Sequence, residues 1–123
     1  MIGDRYNIKF TLPGKGEAEG ELIRIKGPHL TEIINRNLPI TSRGLVRDGM
    51  FVIPTNVLYT IEKPAISGRK GDIMYDSKAK AIIVLFEEKR FDSKMANIGT
   101  ITKGMKIFTS LTMSSGVRIE SIE

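Results

Sequence analysis

Few side chains in this sequence are of the types that carry covalent or metal chemistry. The 123 residues include no cysteine and one histidine, His29. Without thiolates there can be neither a disulfide nor a thiolate-held metal. One imidazole excludes any site that needs two, and a nucleophile–base pair would have to be built around His29 alone. His29 follows Pro28 at a predicted helix start and reads as a surface or cap residue. Gly14-Lys15-Gly16 lacks the preceding Gly and following Ser/Thr of a phosphate-binding loop. A Gly-x-Ser-x-Gly elbow is absent. Carboxylates recur as Glu87-Glu88 and as Glu17, Glu19 and Glu21. Period two puts the second set on one strand face. There a hard-cation site competes with the charged guard of an edge strand, and the guard is the reading adopted. The residues therefore assign no catalytic group, no metal and no cofactor.

Charge narrows the partners. Lys and Arg number 19 against 14 Asp and Glu, a net +5. Residues 63–123 hold +4 of that excess. Lys78, Lys80, Lys89, Arg90, Lys94, Lys103 and Lys106 are interspersed with Glu87, Glu88 and Asp92, and base-stacking aromatics are not regularly interleaved with them. That is a solvated face rather than a nucleic-acid footprint. A basic nucleic-acid-binding barrel stays as an alternative, recognisable by steep salt dependence. The longest apolar run, Ala81 to Phe86, is far short of a bilayer span, and no leader is visible. The expectation is a cytoplasmic protein without membrane contact.

The elements that would position a site are mostly strands, in one domain over 1–123. Tyr6, Ile8, Phe10 and Leu12 alternate with polar residues, as a half-buried strand does. A turn at Pro13-Gly14-Lys15-Gly16 leads to a second strand, Glu21 to Lys26, with Ile23 and Ile25 on its inner face. Leu30, Ile33 and Ile34 make the apolar stripe of a helix over 29–37, stopped by Pro39. Thr41 to Gly49 is polar and reads as a loop. Met50 to Ile53 is a short strand, and Val57, Tyr59 and Ile61 predict another. Pro64 to Gly71 reads as a connection. Asp72–Tyr75 and Ala81–Phe86 flank a turn, Asn97–Thr102 is a strand, Met105–Leu111 a short helix, and Val117–Ile122 the closing strand. Closely spaced turns favour a barrel over an open sheet. Ile8, Phe10, Ile23, Ile25, Ile33, Ile83, Leu85, Ile101, Phe108 and Ile119 are the expected core.

This order resembles the cyclophilin fold. The fifteen residues Phe91-Asp92-Ser93-Lys94-Met95-Ala96-Asn97-Ile98-Gly99-Thr100-Ile101-Thr102-Lys103-Gly104-Met105 are similar, without a gap, to the cyclophilin stretch Leu-Asp-Gly-Lys-His-Val-Val-Phe-Gly-Lys-Val-x-x-Gly-Met. Asp92, Lys94, Gly99, Gly104 and Met105 are identical. Gly71-Asp72-Ile73-Met74 with Ala81 to Phe86 looks like that family's groove-floor hairpin. Phe51, Pro54 and Thr55-Asn56-Val57 resemble the small cyclophilin-like proteins of archaea and thermophilic bacteria, a group of unknown function. The resemblance implies a mainly β fold: a closed cyclophilin-like barrel of about eight strands capped by two short helices.

It also implies a groove on the outer wall, and here the sequence departs from the family. Active cyclophilins use an Arg in Phe-His-Arg-Ile-Ile-Pro to twist a prolyl amide over a barrier of roughly 20 kcal/mol. The matching stretch is Gly49-Met50-Phe51-Val52-Ile53-Pro54, and no register places an Arg there. The groove Trp falls near Arg90 and the groove His at Met95. The expected function is therefore a binding module without the usual isomerase residues. It would take a peptide, protein segment or small molecule in an apolar groove lined from Phe51, Ile53, Tyr75, Phe91, Met95 and Arg47. The alternative is a weak prolyl isomerase in which Arg47 or Arg43 reaches in from the preceding loop. The oligomeric state is left open.

Overall fold

The computed structural model describes residues 4–122, apart from the side chains of Ser93 and Lys94. Lys94, one of the motif identities, thus has its side chain outside the described residues. The strands are β1 (Arg5–Leu12), β2 (Gly16–Ile23), β3 (Ile40–Arg47), β4 (Met50–Pro54), β5 (Pro64–Gly68), β6 (Asp72–Asp76), β7 (Ala81–Leu85), β8 (Lys89–Lys103) and β9 (Ser115–Ser121). The helices are α1 (Pro28–Arg36) and α2 (Lys106–Thr109), and a 3-10 turn, Arg24–Lys26, precedes α1. All the strand pairings are antiparallel. Their order is β2-β1-β9-β3-β4-β7-β6-β8, and β8 pairs back onto β2. Eight strands therefore close a barrel, as expected. The ninth, β5, pairs with β8 alone. It shares one edge of β8 with β2: β2 takes Gly99–Lys103, and β5 takes Lys89–Ala96.

Alternate side chains of each strand fill the barrel. Ile8, Phe10, Leu12, Ala18, Leu22, Phe51, Ile53, Ile73, Tyr75, Ile82, Val84, Ala96, Ile98, Val117 and Ile119 form the interior with Leu30 and Ile34 of α1 and Phe108 of α2. The helices close opposite ends. Helix α1 follows the end of β2, while Ile107 of α2 lies against Gly16 at the start of β2. At the α2 end Phe108 meets Phe10 edge-on at 5.5 Å between centroids and Phe51 at 5.9 Å, an arrangement that aromatic quadrupoles favour. At the α1 end the segment 55–63 crosses the opening and buries Val57. Its Glu62 carboxylate accepts the backbone N–H groups of His29 at 3.1 Å and Leu30 at 2.9 Å. These are orphan donors of the first helical turn, and the anion also suits the positive end of the helix dipole. His29 Nδ1 lies 3.2 Å from the same carboxylate, and the ring is mostly exposed.

Several sequence expectations are corrected here. Residues 40–47 form β3, not a loop. Its inner face is Ile40, Ser42, Gly44 and Val46, too poor in large apolar residues to show alternation. Gly44 is buried because the Phe51 ring fills its place: an added Cβ would lie 2.2 Å from Phe51 Cζ. Conversely, Val57, Tyr59 and Ile61 alternate but belong to no strand, and Pro64–Gly68 is a strand rather than a connection. The second strand ends at Ile23, so Ile25 sits in the 3-10 turn and is 71% exposed. Leu22, not Ile23, faces the core. Ile8, Phe10, Ile83, Leu85, Phe108 and Ile119 are buried as expected, whereas Ile23, Ile33 and Ile101 are half-buried. Strand β2 is paired on both edges, so Glu17, Glu19 and Glu21 do not guard an edge. Glu21 instead bonds Arg5 across the β1–β2 ladder, and Glu17 lies 3.8 Å from Lys9. Among the described residues no helix is long and apolar enough to cross a membrane.

Candidate functional site

The residues on the outside of β4 and β7 are as apolar as those inside, and β6 adds Met74 between Asp72 and Asp76. Strand β7 is buried at all five positions, which requires cover on both faces. The register shows what its outer face meets. Leu45 lies opposite Val52, Val52 opposite Ile83, and Ile83 opposite Met74. One turn of pleat away, Arg47 lies opposite Met50 and Met50 opposite Leu85. Two cross-strand rows thus run over the outer wall, one ending in an exposed Leu45 and the other in an exposed Arg47.

Cover comes from β8. Between Ala65 and Ser67 of β5 the pairing jumps from Met95 to Arg90, so residues 91–94 bulge out of the ladder. Bulges bend a strand and re-aim side chains, often beside functional sites. This bulge lays Phe91 and Met95 against Met74, Ile83 and Leu85 in a second apolar cluster, rimmed by Met50 and Val52. Strand β5 closes over it at Gly68, where an added Cβ would lie 2.7 Å from Leu85 Cδ1 and 3.1 Å from Met74 Sδ. Met74, Ile83 and Leu85 are sealed beneath, while Met50, Val52 and Phe91 remain half-buried.

Between Phe91 and the β3–β4 turn a cleft of about 580 Å³ stays open. Met50 and Phe91 supply its apolar surface, and Asp48, Glu87, Lys89, Arg90 and Asp92 its charged rim. The turn is the two-residue Asp48-Gly49, with φ of 49° and 77°, the geometry of a type I′ hairpin turn. It is docked rather than free. Gly49 O accepts from Phe86 N at 2.8 Å, and Lys89 Nζ donates to Asp48 O.

The structure divides the expected site residues. Phe91, Met95 and Arg47 meet on this outer wall, with Phe91 and Met95 in the apolar cluster and Arg47 at the rim of the sheet. Phe51, Ile53 and Tyr75 do not. Their side chains point into the barrel and are fully buried, so in this structure they are core and not groove surface. Burial raises the Tyr75 hydroxyl above its ordinary pKa. A backbone hydrogen bond at Tyr59 opposes that shift, and the Asp76 charge adds to it. The hydroxyl donates to Val57 O, tying segment 55–63 to the barrel. Arg43 shares the outer face of β3 with Arg47 but lies opposite Gly116 of β9. At about 3.3 Å per strand residue it is some 13 Å from Arg47, away from the cleft. Sequence reasoning passed over Met50 and Val52, because in Met50-Phe51-Val52-Ile53 every residue is apolar and alternation selects no face. It also passed over Leu45, which fell in the expected loop.

No protein-family model matches this chain, and no curated protein sequence matches it. Solved structures do share its fold. The hypothetical protein AF2241 from Archaeoglobus fulgidus superposes with a TM-score of 0.81 at 21% identity, over 98% of both chains. McbB, solved in complex with tryptophan, superposes with a TM-score of 0.74 at 12% identity. That match covers 92% of this chain but 44% of McbB, so the present chain spans less than half of McbB's length. At these identities the likeness is one of fold.

Proposed function

We propose that the outer-wall cleft is a binding site for an apolar or aromatic side chain, presented by a peptide, a protein segment or a small molecule, on a cyclophilin-like barrel. The observation that supports this reading is the exposure of Met50 and Phe91 in the cleft, at the open edge of the second apolar cluster. The cleft sets the apolar side chains of Met50 and Phe91 within a rim of five charged ones, and apolar surface with convergent polar groups suits a ligand. Methionines suit such a surface because their unbranched, polarisable side chains adapt to the ligand. The rim, with Lys89 and Arg90 beside Glu87 and Asp92, offers both signs of charge to the ligand's polar parts. McbB's tryptophan complex makes an indole the first side chain to test. N-acetyl-tryptophanamide presents it without charge, and N-acetyl-Phe-Pro-amide presents a prolyl peptide. Calorimetric titration should give saturable binding of at least one of them. Phe91→Asp and Met50→Glu should each weaken it about tenfold, or ~1.4 kcal/mol. No binding of either probe, or binding that both variants leave unchanged, would contradict the proposal.

A second reading is favoured by one observation, the register of Arg47 directly opposite Met50. From there a guanidinium could donate to a prolyl amide seated on the apolar floor, the role that the missing motif Arg plays in active cyclophilins. Acceleration needs a donor held where the twisted amide develops charge. Arg47 is exposed, and among the described residues no hydrogen bond or ion pair holds its side chain in such a place. Apolar contacts that bind planar and twisted amides equally do not accelerate the step. Prolyl isomerisation of a short Xaa-Pro peptide should therefore proceed at the uncatalysed rate. Turnover that vanishes in Arg47→Ala would replace the binding module with an enzyme.

A further inference from the structure

A second cleft, of about 420 Å³, opens on the other side of the β5–β8 ribbon. Lys26, Arg69, Asp72, Glu88 and Asn97 line it together with Ser67 and Gly68. Glu87 and Glu88, adjacent in sequence, thus serve different clefts. At the centre is Asn97, on the outer face of β8 where the pairing with β6 shifts between Ile73 and Met74. Its Nδ2 donates to Asp72 Oδ2 at 2.9 Å, and its Oδ1 accepts from Lys26 Nζ at 3.4 Å. The backbone N–H of Arg69 donates to the same Asp72 oxygen at 2.9 Å. Asp72 and Asn97 are therefore held in place before any ligand arrives.

The charges in this cleft are left for something else. Two cations, Lys26 and Arg69, and two carboxylates, Asp72 and Glu88, border one hollow. Yet among the described residues none of the four forms an ion pair. Lys26 keeps two of its three donors. Neither the Arg69 guanidinium nor the Glu88 carboxylate makes a hydrogen bond or ion pair among those residues. Opposite charges that face one cleft without meeting each other fit a ligand that carries both signs on adjacent atoms. We infer that this cleft binds a free α-amino acid, with its ammonium toward Asp72 and Glu88 and its carboxylate toward Lys26 and Arg69. A lone anion would face the two carboxylates, and a lone cation the two basic groups, so either half of the ligand is disfavoured by itself. The inference is independent of the apolar cleft, since none of these residues lines it.

The test uses the whole chain and three small probes: L-alanine, ethylamine and propionate. In nitrogen-15 NMR the Asn97 side-chain amide and the Arg69 backbone amide report on the cleft. L-Alanine should shift both saturably, and the two half-ligands should bind at least about tenfold more weakly, the worth of one charge-assisted hydrogen bond. Lys26→Gln and Glu88→Gln each remove one charge and should each weaken L-alanine by about the same factor, read at the Arg69 backbone amide. No saturable shift with L-alanine would overturn the inference. So would equal affinity for the three probes, tighter binding of inorganic phosphate or calcium, or an alanine affinity that both variants leave intact.

Discussion

The residues that decide this site are ordinary apolar ones, and their meaning comes from which side of one sheet they occupy. Met50 and Phe51 are neighbours in sequence, yet one faces the cleft and the other is sealed against Phe108. Phe91 and Met95 lie in the stretch that resembles a cyclophilin one, although neither is among its identical residues. Phe51, Ile53 and Tyr75 could not be assigned a face, because strands that are apolar on both sides carry no period-two signal. Tyr75 has a role of its own inside the barrel. Its hydroxyl bonds the Val57 carbonyl and has a raised pKa, first because of burial. The unfolded chain ionises near the ordinary value of about 10, while the folded chain holds the proton to higher pH. Above that value the unfolded state has released the proton and the folded state has not. Stability is therefore complete below about pH 10 and falls as pH rises from there toward the raised folded value. Tyr75→Phe should lose about 1–3 kcal/mol at neutral pH, because Val57 O is left unpaired. It should also be less sensitive to alkali than the wild type in urea melts at pH 9 to 11. Parallel pH profiles for the two proteins would show that the hydroxyl is not sealed in the fold.

At the level of elements, the strands that escaped the sequence reading did so for physical reasons. Strand β3 turns Ser42 and Gly44 inward, and at Gly44 the Phe51 ring already occupies the space a larger side chain would need. Small residues at inner positions read as loop, although they are the complement of a large neighbour. Segment 57–61 shows the converse. Its alternation reflects a loop that packs Val57 under the barrel end while Leu58 stays exposed. The β3–β4 hairpin is the element on which the cleft depends most. Its Asp48-Gly49 turn fell within the expected loop over 41–49, yet it sets the register that puts Arg47 beside Met50. Gly49→Ala would place a Cβ at φ 77° and 2.8 Å from Glu87 Cδ. The left-handed conformation alone should cost about 1–2 kcal/mol. The variant should also bind the apolar probes more weakly, since the turn forms one wall of the cleft. Unchanged stability and unchanged binding in Gly49→Ala would mean that the hairpin tip is not the rigid wall described.

On the scale of the whole molecule, the barrel is the part most legible in the sequence: a closed ring of eight strands with a helix at each end. The less legible part is the ninth strand and the bulge that folds β8 over the outer wall. Both arise from long-range pairing between β5 and β8, which no local pattern encodes. They turn a plain barrel into one with two apolar cores, the second of them open to solvent along Met50, Val52 and Phe91. The central claim is that this opening receives an apolar side chain. Carbon-13 methyl NMR of the methionines tests it most directly, because they are spread over the structure. Met50 and Met95 belong to the outer cluster, while Met105 packs against the barrel core and Met113 is 68% exposed elsewhere. Titration with N-acetyl-tryptophanamide or N-acetyl-Phe-Pro-amide should move the Met50 and Met95 methyls saturably and leave Met105 and Met113 in place. Methyls that stay unmoved at Met50 and Met95 under saturating probe, or shifts confined to Met105 and Met113, would contradict it.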